Sequence, residues 1–298
     1  MAQLSLFDPA DATGTPISPF RTQLLKWIGN KQRFTHNIIG HFPKQRRRYF
    51  EPFLGSGAVL GTLAPADAIA SDALVPLVEI WQTLREAPHQ LTEWYATRWE
   101  QFATGDDRVA QYESIKANYN AKPNGADLVF LCRSCYGGVV RFRKKDGYMS
   151  TPVGAHRPIA PEKFGHRVDM WHERTKGTKF LLSDFAGCME MAGEGDMIYC
   201  DPPYVHTQAI LYGAQAFSLE RLFDAITRAK RRGAFVALSI DGTKRSGRTR
   251  CEISPPTGLF ETEVRIDGGR SMLRRFQMAG NYSATGAAGM KGFPSKAS

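Results

Sequence analysis

The sequence predicts an α/β fold: a parallel sheet flanked by helices, interrupted by an inserted segment of helices and a hairpin. Three observations carry this expectation. Short strand-like runs recur at 47–53, 68–71, 178–182, 196–200 and 233–241 and alternate with stretches at helical spacing, the pattern of parallel βα units. The first run leads into Gly55-Ser56-Gly57 and the second ends at Asp72, an order of strand, glycine loop, helix, strand and acid that resembles a nucleotide-binding fingerprint. From about 87 to 160 the pattern changes to polar helices rich in Trp and Tyr, followed by "VVRFRKKDGYMSTP".

Taken in order, residues 1–20 read as a poorly ordered leader. "KQRFTHNIIGHF" (31–42) places Phe34, Ile38, Ile39 and Phe42 on one side of a short helix. "RRYFEPF" reads as a strand, "AVLGTL" opens the helix after the glycines, "AIAS" is the second strand, and "LVPLVEIWQTLRE" resumes helical spacing. Within the insert, Lys145-Asp146-Gly147 between two extended runs signals a hairpin. "TKFLL", "DMIYC" and "GAFVALSID" are further strands, and "SLERLFDAITRAKRR" (218–232) is a helix between the last two. A strand pair, "LFETEVRI" and "SMLRRFQM", is expected to complete the sheet, and the small-residue stretch 279–298 is expected to be disordered. The domain boundaries follow: 21–86 and 161–278 form the main domain, and 87–160 is the insert.

The 298 residues, 42% of them apolar, suffice for a sizeable core. No apolar run approaches the roughly 20 residues that span a bilayer, and the N-terminus lacks the basic start and apolar stretch of a signal peptide. Five cysteines at 132, 135, 188, 200 and 251 form no disulfide framework, which suits a reducing cytoplasm. Cys132 and Cys135 make a lone CxxC with no second pair, for which helix packing is a plainer explanation than zinc. The net charge of +10 is concentrated in "KQRRR", "RFRKK", "RAKRR" and "TKRSGRTR". Such clusters attract a phosphate backbone, although a solvated basic surface explains them equally well.

The chemistry concentrates in "YCDPPY" (199–204). Two prolines remove two backbone donors and fix φ, so the chain after Cys200 cannot continue a sheet. It can hold the Asp201 carboxylate, the Pro202 carbonyl and the Tyr204 ring in one rigid arc, which suits a flat ligand carrying an amine on its edge. In "FEPFLGSG", Phe53 leads into Gly55 and Gly57, which let the backbone approach a ligand, and Asp72 is placed to accept from ribose hydroxyls. Glu51 just upstream disfavours an anion and suits a cationic amino group. In "LKWIGNK", Trp27 and Lys31 are suited to pack on and neutralise the amino-acid end of a nucleoside ligand. In "LLSDFAG", Asp184 is suited to accept a purine amine while Phe185 packs on the ring face.

"LKWIGNK", "FEPFLGSG", "SD" at 71–72, "SDF" at 183–185 and "DPPY" stand in the order found in Dam-like adenine-specific (N6) DNA methyltransferases, which the chain resembles over about residues 24–278. The resemblance implies a Rossmann-like S-adenosylmethionine-dependent methyltransferase sheet. It also implies that Trp27, Lys31, Asp72 and Asp201 contact S-adenosylmethionine or lie beside it. On the same ground the 87–160 insert is expected to be the target-recognition domain. Asn30 replaces a glycine found in many members, and Gly137 stands where the family often has asparagine. A flipped adenine would present its amine to Asp201 and the Pro202 carbonyl, with Tyr204 stacked on the base. In the insert, Tyr136 is expected to wedge into the base stack, Arg141 to read a base edge, and Arg143, Lys144 and Lys145 to hold phosphates. The expected partner is double-stranded DNA, met by a cytoplasmic monomer without a metal. The expected setting is a restriction–modification system with a separately acting endonuclease, or an orphan or phage methylase.

Three other functions compete. A nicotinamide oxidoreductase accounts for Gly55, Gly57 and Asp72 but leaves "DPPY" and the basic insert unexplained. RNA adenine and protein-glutamine methyltransferases share motifs of the Asp/Asn-Pro-Pro-Tyr type, but they usually lack the stretch around Trp27 and the long insert. A non-enzymatic DNA-binding protein would be expected to have lost Asp201 or Tyr204.

Overall fold

The computed structural model describes residues 16–105, 107–143, 145–203, 217–240 and 255–264. Among these residues, five parallel strands form one sheet in the order β3-β2-β1-β4-β5: β1 (Tyr49–Glu51), β2 (Ala68–Asp72), β3 (Thr178–Leu182), β4 (Met197–Cys200) and β5 (Phe235–Leu238). Tyr49 pairs with Ala68 on one side and with Met197 on the other. The chain therefore builds outward from β1 through β2 to β3, then crosses back to lay β4 on the opposite edge of β1. That reversal opens a crevice at the carboxyl ends of β1 and β4, where sheets of this topology bind ligands.

Strand periodicity divides the core between the two faces of the sheet. Tyr49, Ala68, Ala70, Phe180, Met197 and Tyr199 face one apolar cluster; Phe50, Ile69, Ile198, Cys200 and Val236 face another. On the first face, α3 (Val75–Glu86) buries Leu77, Ile80, Trp81 and Leu84 at helical spacing. Also on this face is α7 (Pro161–Arg174), which the sequence reading did not anticipate; it buries Phe164, Val168 and Trp171. Among the described residues, α8 (Phe185–Glu190) and α9 (Leu219–Arg231) cover the second face. The short α8 was likewise not anticipated, and α9 places Leu222, Ala225, Ile226 and Ala229 inward. The short α1 (Thr35–Ile39) and α2 (Ala58–Leu63) complete the main layers.

The insert comprises α4 (Pro88–Thr104), α5 (Arg108–Ala121), α6 (Gly125–Ser134) and a hairpin. It belongs to the same compact unit as the sheet. The reason is α6, whose Leu128, Val129, Phe130, Leu131 and Cys132 are all buried. A helix apolar on every side needs partners all round, so Phe130 and Tyr95 of α4 join the cluster that holds Trp81 and Trp171. The hairpin pairs Phe142 with Met149 around a turn at Lys145-Asp146. Its inward residues Val140, Phe142, Met149 and Thr151 are buried, whereas Arg141, Arg143, Lys145 and Ser150 are exposed.

Some expectations fall differently. Phe20, placed by the sequence in a leader, is buried against Trp171 with ring centroids 5.2 Å apart. Residues 1–15 lie outside the described set. The strand pair expected at 259–266 and 271–278 is described only through 264, where the chain is turn and irregular rather than strand; the remainder, with the tail, lies outside. Cys132 and Cys135 are packed in the core, and burial pushes their thiols up to about 11 and about 12. Among the described residues, no helix is long and apolar enough to cross a membrane. Nor is there, among them, a group of three or more His, Cys, Asp or Glu that could hold a metal.

Candidate active site

Four strand ends each bring a carboxylate to one place. Glu51 closes β1, Asp72 closes β2, Asp184 follows β3, and Asp201 follows β4. All four line a cavity of about 410 Å³, within the roughly 300–1,000 Å³ usual for small-molecule sites. The described cationic residues lining it are Lys31 and Arg221. Counted as ionised, Asp72, Asp184 and Asp201 exceed Lys31 and Arg221 by one charge, and Glu51 adds a second when it loses its proton, so the cavity favours a ligand of net positive charge.

The floor is the turn after β1. Gly55 and Gly57 have φ of 49° and 62°, in the left-handed region that glycine enters without steric cost. A Cβ on Gly55 would sit 3.3 Å from Cδ1 of Trp27, and one on Gly57 would sit 2.9 Å from Cη2 of Trp81. Trp81 also donates its indole N–H to the Gly55 carbonyl at 3.2 Å. The turn is thus held between two indoles, and Trp27 lines the cavity with Gly55 and Phe53. Gly57 does not line it; it is the N-cap of α2 and leaves room for Trp81.

Asp72 fastens the same turn. Its Oδ2 accepts from Gly55 N–H at 3.1 Å, and its Oδ1 accepts from Leu74 N–H at 3.1 Å. Burial raises its pKa and these backbone donors oppose the rise. Each oxygen retains lone-pair capacity toward the cavity. Glu51 is buried and accepts from the Tyr49 hydroxyl at 2.7 Å. Desolvation raises its pKa to about 8, with the Asp201 charge adding to the rise and the Tyr49 bond opposing it.

Across the crevice, Lys31 donates to both oxygens of Asp201 at 2.6 and 2.7 Å and to the Gly29 carbonyl at 3.2 Å. Ser239 N–H bonds the Cys200 carbonyl at 2.8 Å, the last sheet contact before the chain turns away at Pro202 and Pro203. Both prolines line the cavity. Tyr204 lies outside the described residues.

The remaining wall is aromatic. Phe53 and Phe185 stack at 5.2 Å with an interplanar angle of 22°, and Phe217 meets them edge-on at 6.0 and 5.9 Å. Asp184 caps α8 by accepting from Gly187 N–H at 2.9 Å, and it receives Arg221 at 2.7 Å. The Gly187 bond, above all, holds its carboxyl below the usual carboxylate range; burial opposes it and Arg221 reinforces it. Phe217 and Arg221 were not singled out from sequence. A signal existed for Arg221: a cation in the first turn of a helix opposes the macrodipole.

Of the residues expected to contact DNA, the described ones do not line the cavity. Tyr136 is 56% exposed on a single 3-10 turn, Tyr136–Gly138. Arg141, Arg143 and Lys145 project from the hairpin's outer side, while Lys144 is outside the described residues. Arg143 is already engaged, donating to Asp146 at 3.1 and 2.9 Å with its guanidinium 4.1 Å from the Tyr148 ring centroid. The 3-10 turn reaches the N-terminal stretch, since a Cβ on Gly138 would lie 2.8 Å from Cβ of Lys26. Arg133 ties that stretch to α6 through the Gln23 and Leu24 carbonyls at 3.1 and 2.6 Å.

Residues 27–241 match the sequence pattern of the D12 class N6 adenine-specific DNA methyltransferases. A DNA N-6-adenine-methyltransferase of Escherichia phage P1 is 28% identical over 236 residues, 76% of this chain and 31% of that protein. The type II methyltransferase M1.LlaDCHI of Lactococcus lactis subsp. cremoris is 26% identical over 72% of this chain and 79% of its own length. A DNA adenine methylase of Vibrio cholerae serotype O1 is 27% identical over 75% and 83% respectively. The match thus covers under a third of the phage relative and most of the other two.

Proposed function

The chain belongs to the D12 class of N6 adenine-specific DNA methyltransferases, and from that premise we propose that it methylates the N6 amine of an adenine flipped out of duplex DNA, with S-adenosylmethionine as donor. The single observation that carries this reading is the convergence of Asp201 and Pro202 with the carboxylates of the other three strand ends in one cavity at the sheet's switch point. The donor set fits the cofactor. S-adenosylmethionine carries a sulfonium, an ammonium and a carboxylate, a net positive charge that matches the acid excess. Asp72 would hold the ribose hydroxyls, Glu51 the ammonium and Lys31 the carboxylate. Asp184 and the Phe53–Phe185 stack would take the purine. When bound, the donor supplies an already activated methyl group.

The protein's part is positioning. An adenine amine is a poor nucleophile because its lone pair is delocalised into the ring. Asp201 and the Pro202 carbonyl would accept its two hydrogens, so that the nitrogen pyramidalises and its lone pair is withdrawn from the ring's conjugation. The proton shed after transfer has Asp201 beside it. Lys31, bonded to both oxygens of Asp201, would be shared with the donor's carboxylate. Tyr204 would stack on the flipped base. The amine of a paired base is out of reach, hence the flip. The hairpin's outer face, with Arg141, Arg143 and Lys145, would lie against DNA as a target-recognition element. A separately acting cognate endonuclease is one setting for such an enzyme, and one relative is named a type II methyltransferase.

The test is transfer of tritium from labelled donor to duplex DNA, with the modified nucleoside identified by mass spectrometry. N6-methyl-2′-deoxyadenosine made by the native chain and lost in Asp201→Ala supports the proposal. Methylated cytosine, or full activity in Asp201→Ala, overturns it.

A further inference from the structure

We propose that Arg221 is a positioning residue for recognition of the donor's purine, setting the Asp184 carboxylate to accept the exocyclic amine and reject a carbonyl in its place. The inference rests on the reading of Asp184 as the purine-amine acceptor and extends it to a residue in a different segment. Asp184 is held from two sides: Gly187 N–H binds Oδ1 at 2.9 Å and Arg221 Nη2 binds Oδ2 at 2.7 Å. Two donors on two different oxygens leave the carboxylate little freedom to rotate, and each oxygen keeps a second lone pair.

The same guanidinium lies 5.2 Å from the centroid of Phe185, the ring stacked on Phe53. Arg221 thus touches both the edge acceptor and the stacking wall, and Asp184, Phe185, Phe53 and Arg221 line one cavity. Its place in the helix points the same way. Arg221 sits in the first turn of α9, where Ser218 caps and Glu220 suits the dipole but a cation is disfavoured. Asp184 is the compensation. Both side chains are about half exposed, so the pair adds little to global stability. Its effect is expected in selectivity, because a fixed carboxylate can accept from an amine but only repels a carbonyl oxygen.

Calorimetric titration separates this from a structural role. The probes are S-adenosyl-L-homocysteine and S-inosyl-L-homocysteine, which has a carbonyl where the adenine amine stands. The native chain is expected to prefer the adenosyl ligand by about tenfold or more, the range of a hydrogen bond to a charged group. Arg221→Gln should reduce that preference to about threefold or less, and Arg221→Lys should restore part of it. Asp184→Asn keeps a capping side chain and should lose or invert the preference. If Arg221→Gln weakens both ligands equally, or retains the preference that Asp184→Asn loses, Arg221 does not position Asp184 and the inference fails. If Asp184→Asn keeps the native preference, the reading of Asp184 itself fails.

Discussion

Lys31 Nζ lies 2.6 and 2.7 Å from the two carboxylate oxygens of Asp201, across 170 positions of sequence. The pair joins the N-terminal Trp27–Lys31 stretch to the turn after β4, and both side chains are mostly shielded, at 13% and 18% exposure. Removing either partner takes this ion pair away from the other charge in a partly dehydrated crevice. A double-mutant cycle of Lys31→Ala and Asp201→Ala, read by urea unfolding, should give a coupling of about 1–2 kcal/mol. Strict additivity would mean that the pair does not form in solution.

Glu51 provides a pH signature. Its pKa is raised to about 8 by burial, with Asp201 adding to the rise and Tyr49 opposing it, so in the ligand-free protein it is largely protonated at neutral pH. A ligand ammonium favours the ionised form, so binding should release a proton. Donor affinity should therefore rise as pH climbs toward about 8 and flatten above it, by linkage. Titrations in buffers of different ionisation enthalpy would detect the proton, and Glu51→Gln should abolish the slope. The free protein shows the complementary effect. A raised acid pKa means that the native state binds more protons than the unfolded one, so this group's contribution to stability is lost as pH rises through about 8.

Gly55 and Gly57 should respond differently to alanine. At Gly57, φ of 62° and a 2.9 Å approach to Trp81 combine left-handed strain with overpacking, and the cost should be about 2–4 kcal/mol of stability. At Gly55 the nearest atom is 3.3 Å away on Trp27, at the cavity. There the strain should cost about 1–2 kcal/mol, with a further loss of donor binding. Thermal unfolding together with calorimetry distinguishes the two. Equal loss of binding at matched stability would remove the distinction.

On the hairpin, Arg143 is paired with Asp146, whereas Arg141 and Lys145 are exposed. Arg141→Ala should relax sequence preference, and Lys145→Ala should weaken all duplexes alike and lower the salt slope by about one. Asp146→Ala should release Arg143 to phosphate, raising non-specific affinity and steepening that slope. Competition binding against scrambled duplexes across salt concentrations reads all three. Unchanged slopes in the last two variants would place the hairpin away from the DNA backbone.

Much of the sheet was legible in the sequence because its strands are short, apolar and punctuated. Gly55-Ser56-Gly57 announces the turn after β1, and two prolines announce the break after Cys200. These are local signals, written in backbone chemistry. Arg221 and Phe217 gave no such signal strong enough to single them out, because their importance lies in partners far along the chain, Asp184 and Phe53. Lys31 was legible as a charge for the ligand, but its grip on Asp201 was not. The insert was readable as helices and a hairpin from composition and a turn motif. Its fusion with the main core was not, because burial of α6 on every side depends on which helices surround it. Sequence alone determined the order of the strands along the chain and the residue types at their ends, because turn and strand preferences act over a few residues. Only the tertiary structure decided that β4 returns beside β1, bringing Glu51, Asp72, Asp184 and Asp201 into one cavity, because strand order in a sheet is set by packing between distant segments.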